Sequence, residues 1–508
     1  MISRGILFRN SVANIMGWAA ALPVTLVIVP LMLAKLGPER YGLWAISTLF
    51  ISYSGIAHLG MHTALVKYIS EMNGAQRARE ANALVGTVLI SYLVIGTLLV
   101  LASLPVSVIL VQRVFNVPEH LSAEAVLALR LGAVALSIQL ILRTLLAIWQ
   151  GYQRYHVSSI LTTSTTLLGA AGTVIVLYMA ESVPLLIAKD IIVTAIMAAA
   201  AGVWAHHTLP EISFLRLSVR KSVFKHILHY SVHIQLSGMA AMLSDLLLRT
   251  VVAVISPLSV VAQFDIAVRV VRAFRGAVTA ALAPILPFSS NLSRIGHWKQ
   301  LTVMYSQVLR SLVLVAGPTV IVAGFFAIPL MAVWLRSSYD LVPSTVQLLL
   351  VTWFAVLMMT PAYLIAQGSG RPHLCTVYHL TAGVLHLASV IWAAKFFGYW
   401  GVLTSYSVST AVGICVFLIL FHRTSPIPAS ASLRAINKSV AIAYLVIAIF
   451  AFQLSRGVTD WGVLSLGGSL MALTLAWGFL LLVTRNITLS DISSLVALRS
   501  RLKLRLRW

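Results

Sequence analysis

Charge is scarce in this sequence: Asp, Glu, Lys and Arg make up 10% of its 508 residues, against 59% hydrophobic. Soluble domains are roughly 25% charged, so an ordinary soluble enzyme is excluded and lipid must solvate most of the chain. Cysteine is almost missing. Cys375 and Cys415 both fall inside apolar runs, which excludes a disulfide framework or a cysteine metal site and reads them as small core residues. Long polar stretches are missing too, leaving no room for a large soluble domain. Acids are the rarest charge, 13 against 36 Lys and Arg. In a soluble protein that basic excess would suggest nucleic acid; in a membrane chain it is first an orientation signal, and no nucleic acid partner is expected.

What is present is a succession of apolar runs. They fall near 11–34, 41–66, 82–112, 124–149, 158–180, 184–206, 227–255, 260–289, 302–334, 343–367, 374–397, 399–421, 436–454 and 461–484. A spanning helix needs ~20 apolar residues, so the expected fold is all-α and polytopic, with about 14 transmembrane helices. The first run is long, lacks a small-residue cleavage pattern and leads straight into others, so it reads as a retained helix.

Basic residues sort by side. With a cytoplasmic N-terminus, 22 of the Lys and Arg outside the spans face inward and 6 outward, which orients the chain with both termini cytoplasmic. The outer breaks are short, among them 36–40, 256–259 and the single residue Gly398. They leave no periplasmic loop large enough for catalysis. Residues 208–226 form the longest inner break, basic and amphipathic, as expected of a linker lying in the interface. Gly37-Pro38 followed by Gly42-Leu43-Trp44 lines up with Ser256-Pro257 followed by Ala262-Gln263-Phe264. This faint repeat divides the chain into two six-helix lobes, 1–207 and 227–422, with two extra helices over 423–484 and a basic tail, 485–508.

Four segments carry a family resemblance: Asn10 to Asn14 with Gly17; Leu36-Gly37-Pro38-Glu39-Arg40-Tyr41-Gly42-Leu43-Trp44; Leu59-Gly60-Met61-His62-Thr63-Ala64-Leu65-Val66-Lys67-Tyr68; and Pro361 with Gly368-Ser369-Gly370-Arg371-Pro372. Together they resemble the polysaccharide-biosynthesis transporters, the Wzx-type lipid-linked oligosaccharide flippases of the MOP superfamily, which also holds the MATE exporters and lipid II flippases. The resemblance runs nearly the full length in span order. It implies a bacterial inner-membrane protein with a cationic cavity that alternates between two faces. Two positions depart from the pattern. His58 stands where relatives often carry an acid, and Asn14 occupies the first span, where lipid II flippases carry arginine.

Charges inside spans need a partner, a wet cavity or a ligand, since each costs at least ~2.5–3.5 kcal/mol at the bilayer centre. Arg130, Lys189 and Arg310 lie near expected span ends, where snorkelling accounts for them. The eighth span differs. Asp265, Arg269, Arg272 and Arg275 are spaced by four, three and three, which sets them on one helical stripe. Three guanidiniums against one carboxylate call for an anion, and the planar guanidinium fork suits a diphosphate. The bland alternative is a closed Asp265–Arg269 pair with Arg275 snorkelling. Asp245 and Arg249 form a further i,i+4 pair, either gating residues or a self-neutralising pair. Gln139 and Arg143 are candidates for a facing wall. His58 and His62, also i,i+4, either line the path, sense protons or simply pack, and no run of further ligands nearby makes them a zinc site.

The expected activity is a flippase for undecaprenyl-diphosphate-linked oligosaccharide, with Arg269, Arg272, Arg275, Arg143, His58, His62 and Asn14 on the substrate and Asp265, Asp245 and Arg249 at a gate or coupling site. No cofactor is expected. A proton, a sodium ion or the membrane potential would drive the cycle, with Asp245 and Asp265 the obvious carriers. Membrane lipids, a polysaccharide polymerase and glycosyltransferases are the expected partners. The competing readings are a MATE-like cation exporter, which would want an acidic cavity, and a membrane polymerase or ligase. Nucleophile-elbow, phosphate-loop and zinc-helix patterns are missing, so no enzyme is expected.

Overall fold

The structure is a computed structural model that describes residues 26–49, 61–71, 77–152, 154–209, 239, 242–282, 285–335, 339–433, 438–457 and 462–483. Asn14, His58, the expected linker from residue 210 onward and the tail lie outside these residues. The chain is all-α, with no strand among the described residues. In order come α1 (26–49), α2 (Met61–Glu71), α3 (Arg77–Ile109), α4 (Ser122–Gly151), α5 (Tyr155–Met179), α6 (Val183–Thr208), α7 (242–255) and α8 (Leu258–Leu282). They are followed by α9 (Ile285–Arg294), α10 (Trp298–Phe325), α11 (Ala327–Leu335), α12 (Leu341–Gly368), α13 (Pro372–Thr424), α14 (Ser430–Leu433), α15 (Lys438–Gly457) and α16 (Val463–Val483). Eight helices among the described residues are long and apolar enough to cross a bilayer, and the protein is a multi-pass membrane protein. Large apolar side chains such as Leu98, Ile175, Ile391 and Phe479 stand exposed, as a lipid-facing surface requires.

Several expected breaks are helical turns. Gly37 sits at φ +73° inside α1, and Gly398 at φ +55° divides α13 into two arms. Side-chain-bearing residues are strained at such angles, so glycine lets one helix end and the next begin within a residue or two. One expected span is shorter than hydropathy suggests. The run 302–334 divides at Phe326 into α10 and α11, with Pro329 in the first turn of α11, where its missing N–H costs nothing. A break made of apolar residues leaves no trace in hydropathy.

The helices pack into two compact units, 1–280 with 376–413, and 281–375 with 414–508. In the first, Trp149, Tyr92, Leu140 and Ile69 are fully buried where α2, α3 and α4 meet. In the second, Pro318 interrupts the hydrogen-bond ladder of α10 and leaves the carbonyl four residues before it, Leu314, without its usual donor. Trp477 Nε1 of α16 donates to that carbonyl at 2.9 Å. At the adjacent residue, the Tyr444 hydroxyl of α15 donates to the Val313 carbonyl. The vacancy made by Pro318 thus helps to hold α16 by its indole, and the neighbouring carbonyl holds α15 by its phenol. Of the two cysteines, Cys375 is buried and Cys415 exposed, so only the first is a core residue.

Candidate functional site

The site begins with two proline-led helix starts that touch. Pro38 follows the Gly37 turn in α1, and Pro257 precedes α8. Beyond them, Gly42 packs so closely on the start of α8 that a Cβ there would lie 1.9 Å from the Leu258 carbonyl oxygen. The two segments aligned as a sequence repeat are therefore packed on each other. This contact brings the next turns of the helices together. Tyr41 donates its hydroxyl proton to Asp265 Oδ2 at 3.1 Å, and Trp44 stacks under the Arg269 guanidinium, 4.8 Å from ring centroid to Cζ.

Asp265 is the hub. Its Oδ2 also accepts from Arg269 Nε at 2.6 Å, while Oδ1 lies 3.9 Å from Arg249 Nη1 on α7. Arg249 is only 10% exposed and faces a second carboxylate, Asp245 Oδ2, again at 3.9 Å. Neither distance is a hydrogen bond, and Arg249 Nε has no hydrogen-bond partner among the described residues. Asp245 in turn accepts from Arg272 Nη2 at 2.7 Å. Arg275, one turn further along α8, lies within electrostatic reach of Asp245, Tyr378 and Tyr406.

Four guanidiniums therefore share two carboxylates. A rise of about 1.5 Å per residue puts Asp245 about 15 Å from its helix end at residue 255, and Arg272 about 21 Å along α8. The pairing corrects one expectation. The stripe is not short of counter-charge along its whole length, because Arg269 is closed onto Asp265 and Arg272 onto Asp245. Among the described residues the cluster holds four guanidiniums and two carboxylates, and Arg272, with 48% of its side chain exposed, is the most accessible of the paired members.

The remaining expected residues fall elsewhere. Arg143 stands with His62 and Tyr92 rather than with the stripe. His62 Nδ1 donates to the Arg143 carbonyl at 2.9 Å, and Tyr92 reaches the His62 backbone and the field of Arg143. Arg143 Nε and Gln139 Oε1 are buried without hydrogen-bond partners among the described residues. Lys189 does not snorkel. Its ammonium, 13% exposed, donates to the Gly169 carbonyl at 3.1 Å and Thr173 Oγ1 at 2.9 Å and pairs with Asp190. Asp190 is a third acid inside the spans, beside Asp245 and Asp265. Tyr41 and Trp44 also belong to the site, although the sequence marks them only as part of a segment that carries the family resemblance.

The sequence matches the family described as polysaccharide biosynthesis protein, Polysacc_synt_3, over residues 32–344. No curated protein matches it. Among solved structures it is similar to the lipid II flippase MurJ in an inward closed conformation, at 12% identity and TM-score 0.70, covering 93% of this chain and 98% of that one. It is also similar to an inward-facing multidrug resistance MATE family transporter of the MOP superfamily, at 16% identity and TM-score 0.67, covering 81% and 94%. A third is a MOP superfamily transporter from Pyrococcus furiosus whose binding pocket is described as having reverse polarity that suggests a different function. It matches at 15% identity and TM-score 0.54, covering 86% and 100%. These likenesses establish the fold shared by MOP transporters.

Proposed function

Because the chain belongs to the Polysacc_synt_3 family of polysaccharide biosynthesis proteins, we propose that it is a flippase carrying polyprenyl-diphosphate-linked oligosaccharide across a bacterial inner membrane, from the cytoplasmic to the periplasmic leaflet, by alternating access. The observation that carries this reading is the charge of the site, four arginines gathered about two aspartates, with Arg249 and Asp265 buried. A site in low dielectric where guanidiniums outnumber carboxylates favours an anion, and a diphosphate ester brings about two negative charges.

The pairings divide the labour. Arg269, fixed by Asp265 and Trp44, is a strut that holds the stripe in place. Arg272 keeps one edge on Asp245 and turns the other toward the diphosphate, with Arg275 completing the clamp, since a planar fork can serve two oxygens at once. Leaving the negative side of the membrane, each anionic charge gains ~2.3 kcal/mol per 100 mV. Net positive charge disfavours a cationic drug as substrate.

The test is transport of a fluorescent polyprenyl-diphospho-oligosaccharide in proteoliposomes by the full chain and by Arg272→Ala and Arg275→Ala. Movement that both substitutions abolish supports the reading. Undiminished movement in both, or export of a cationic dye without any movement of the lipid, overturns it.

A further inference from the structure

A second cationic place in the same compact unit has no acid beside it. Between Ala128 and Gly151 no residue of α4 is exposed, whereas α3 and α6 beside it carry exposed apolar side chains such as Leu98 and Ile192. α4 is thus an inner helix of its unit, and what is accessible along it opens inside the protein rather than on lipid. Gly132, Gln139, Arg143 and Gln150 are spaced by seven, four and seven, which at ~100° per residue sets them on one face. Gln139, Arg143 and Gln150 are each partly accessible.

Arg143 stands unpaired on that face. Unlike Arg269 and Arg272, its guanidinium meets no carboxylate among the described residues, and its Nε is buried without a hydrogen-bond partner there. The titratable groups in its field are the Tyr92 phenol and the His62 imidazole, and His62 spends Nδ1 on the Arg143 carbonyl and also meets Gln150. One turn away, Gln139 Oε1 is an acceptor, likewise buried and unmatched. The two orphans want different partners: a donor for the amide oxygen and an anionic oxygen for the guanidinium. Water can serve Gln139, but only an anion neutralises Arg143.

Contacts to α1 place this face beside the substrate site. Arg40 of α1 donates to Glu124 of α4, and a Cβ on Gly132 would stand 3.3 Å from the Ser47 carbonyl oxygen, so α4 runs in step with α1. α8 does the same, with Leu258 on Gly42 and Arg269 on Trp44. Past these contacts both helices continue toward the same end of the unit. α4 reaches Gln139 and Arg143 about 10 and 16 Å beyond Gly132, and α8 reaches Arg272 and Arg275 about 5 and 9 Å beyond Arg269.

We propose that Gln139 and Arg143 bind an acidic sugar of the transported oligosaccharide, so that the cargo is a glycan with a carboxylate of its own besides the diphosphate. The guanidinium takes the carboxylate in its planar fork, and Gln139 Oε1 accepts from a hydroxyl of the same ring. A neutral sugar leaves Arg143 without a counter-charge; a hexuronic acid satisfies both atoms. This inference rests on the flippase reading and adds to it the charge of the glycan, on which Arg272 and Arg275 are silent.

The experiment measures binding of two short-prenyl diphospho-disaccharides to the detergent-solubilised full chain, the probes differing only in one sugar, glucuronate against glucose. The wild type should bind the glucuronate probe several-fold more tightly, with a preference that shrinks as salt is raised. Arg143→Gln should lose the preference and keep the wild-type affinity for the glucose probe. Arg143→Lys should keep part of the preference, since an ammonium is cationic but cannot fork, and Gln139→Leu should weaken it. Equal wild-type affinity for the two probes overturns the inference, as does a preference that survives in Arg143→Gln. Loss of both probes alike in Arg143→Gln also overturns it, because the residue then serves the diphosphate. Should Arg143→Gln not fold, the wild-type comparison and Arg143→Lys decide. Failure of the wild type to bind either probe overturns the flippase reading as well.

Discussion

The Tyr41 hydroxyl donates to the same Asp265 oxygen that Arg269 Nε reaches, at 3.1 and 2.6 Å, joining helices whose residues are 224 positions apart in sequence. One oxygen of the carboxylate thereby holds a neutral donor and a charged one. Tyr41 is fully buried, so its hydroxyl must find a partner, and Asp265 is that partner. Tyr41→Phe should lower stability by about 1 kcal/mol, the usual net worth of one hydrogen bond, read as a small drop in Tm in detergent with transport reduced but present.

Asp265→Ala should be far more damaging than Tyr41→Phe. It leaves Arg249 and Arg269 without their shared carboxylate, and an unpaired buried charge costs about 3–5 kcal/mol. Protein level in the membrane should fall sharply. The double variant Asp265→Ala with Arg269→Ala should recover part of that loss, because it removes one stranded charge together with the carboxylate; an additive result would deny that the two residues form a unit.

Arg269 and Arg272 should separate in a single experiment. Arg269→Ala should reduce the amount of folded protein, since it opens the Asp265 hub and the Trp44 stack. Arg272→Ala should leave the amount of protein nearly unchanged and abolish binding of the diphospho-sugar, and Arg272→Lys should restore it only in part because an ammonium cannot fork. Folded protein and ligand affinity, measured side by side, decide the matter.

Gly42→Ala should be strongly destabilising although it adds a single methyl group. The new Cβ would stand 1.9 Å from the Leu258 carbonyl oxygen, which only backbone separation of α1 and α8 can relieve, at about 1–3 kcal/mol or more. Thermal stability should fall, and diphospho-sugar binding with it, because the same contact sets Tyr41 and Trp44 against α8.

Pro318 and Trp477 should be energetically coupled. Trp477→Phe deletes the donor to the Leu314 carbonyl and should cost about 1 kcal/mol. In a Pro318→Ala background, where the restored backbone N–H can satisfy that carbonyl, the same change should cost much less. Tm values for the four proteins of the cycle give the coupling directly.

Much of this was legible from periodicity and charge. The 4,3,3 spacing of Asp265, Arg269, Arg272 and Arg275 places them on one face of any helix, and the structure keeps them there. The turns at Gly37 and Gly398 are marked by the shortness of the breaks. Pairing was not legible, because an i,i+4 rule sees only partners on the same helix. Asp245 and Arg249 read as a local pair, yet Asp245 binds Arg272 at 2.7 Å and stands 3.9 Å from Arg249. Lys189 read as a snorkelling residue for the same reason: its acceptors Gly169 and Thr173 belong to the preceding helix.

Amino-acid order alone requires a bundle of membrane-crossing helices with arginines on one stripe, since lipid solvation and the 3.6-residue turn act on each segment separately. Which of those arginines close onto carboxylates, and which keep an open edge, was settled only when the helices packed. That choice depends on helix approach distances, here those of α7 to α8 that bring Asp245 to Arg272, and electrostatic partnership in a low dielectric is won or lost over an ångström or two of such approach.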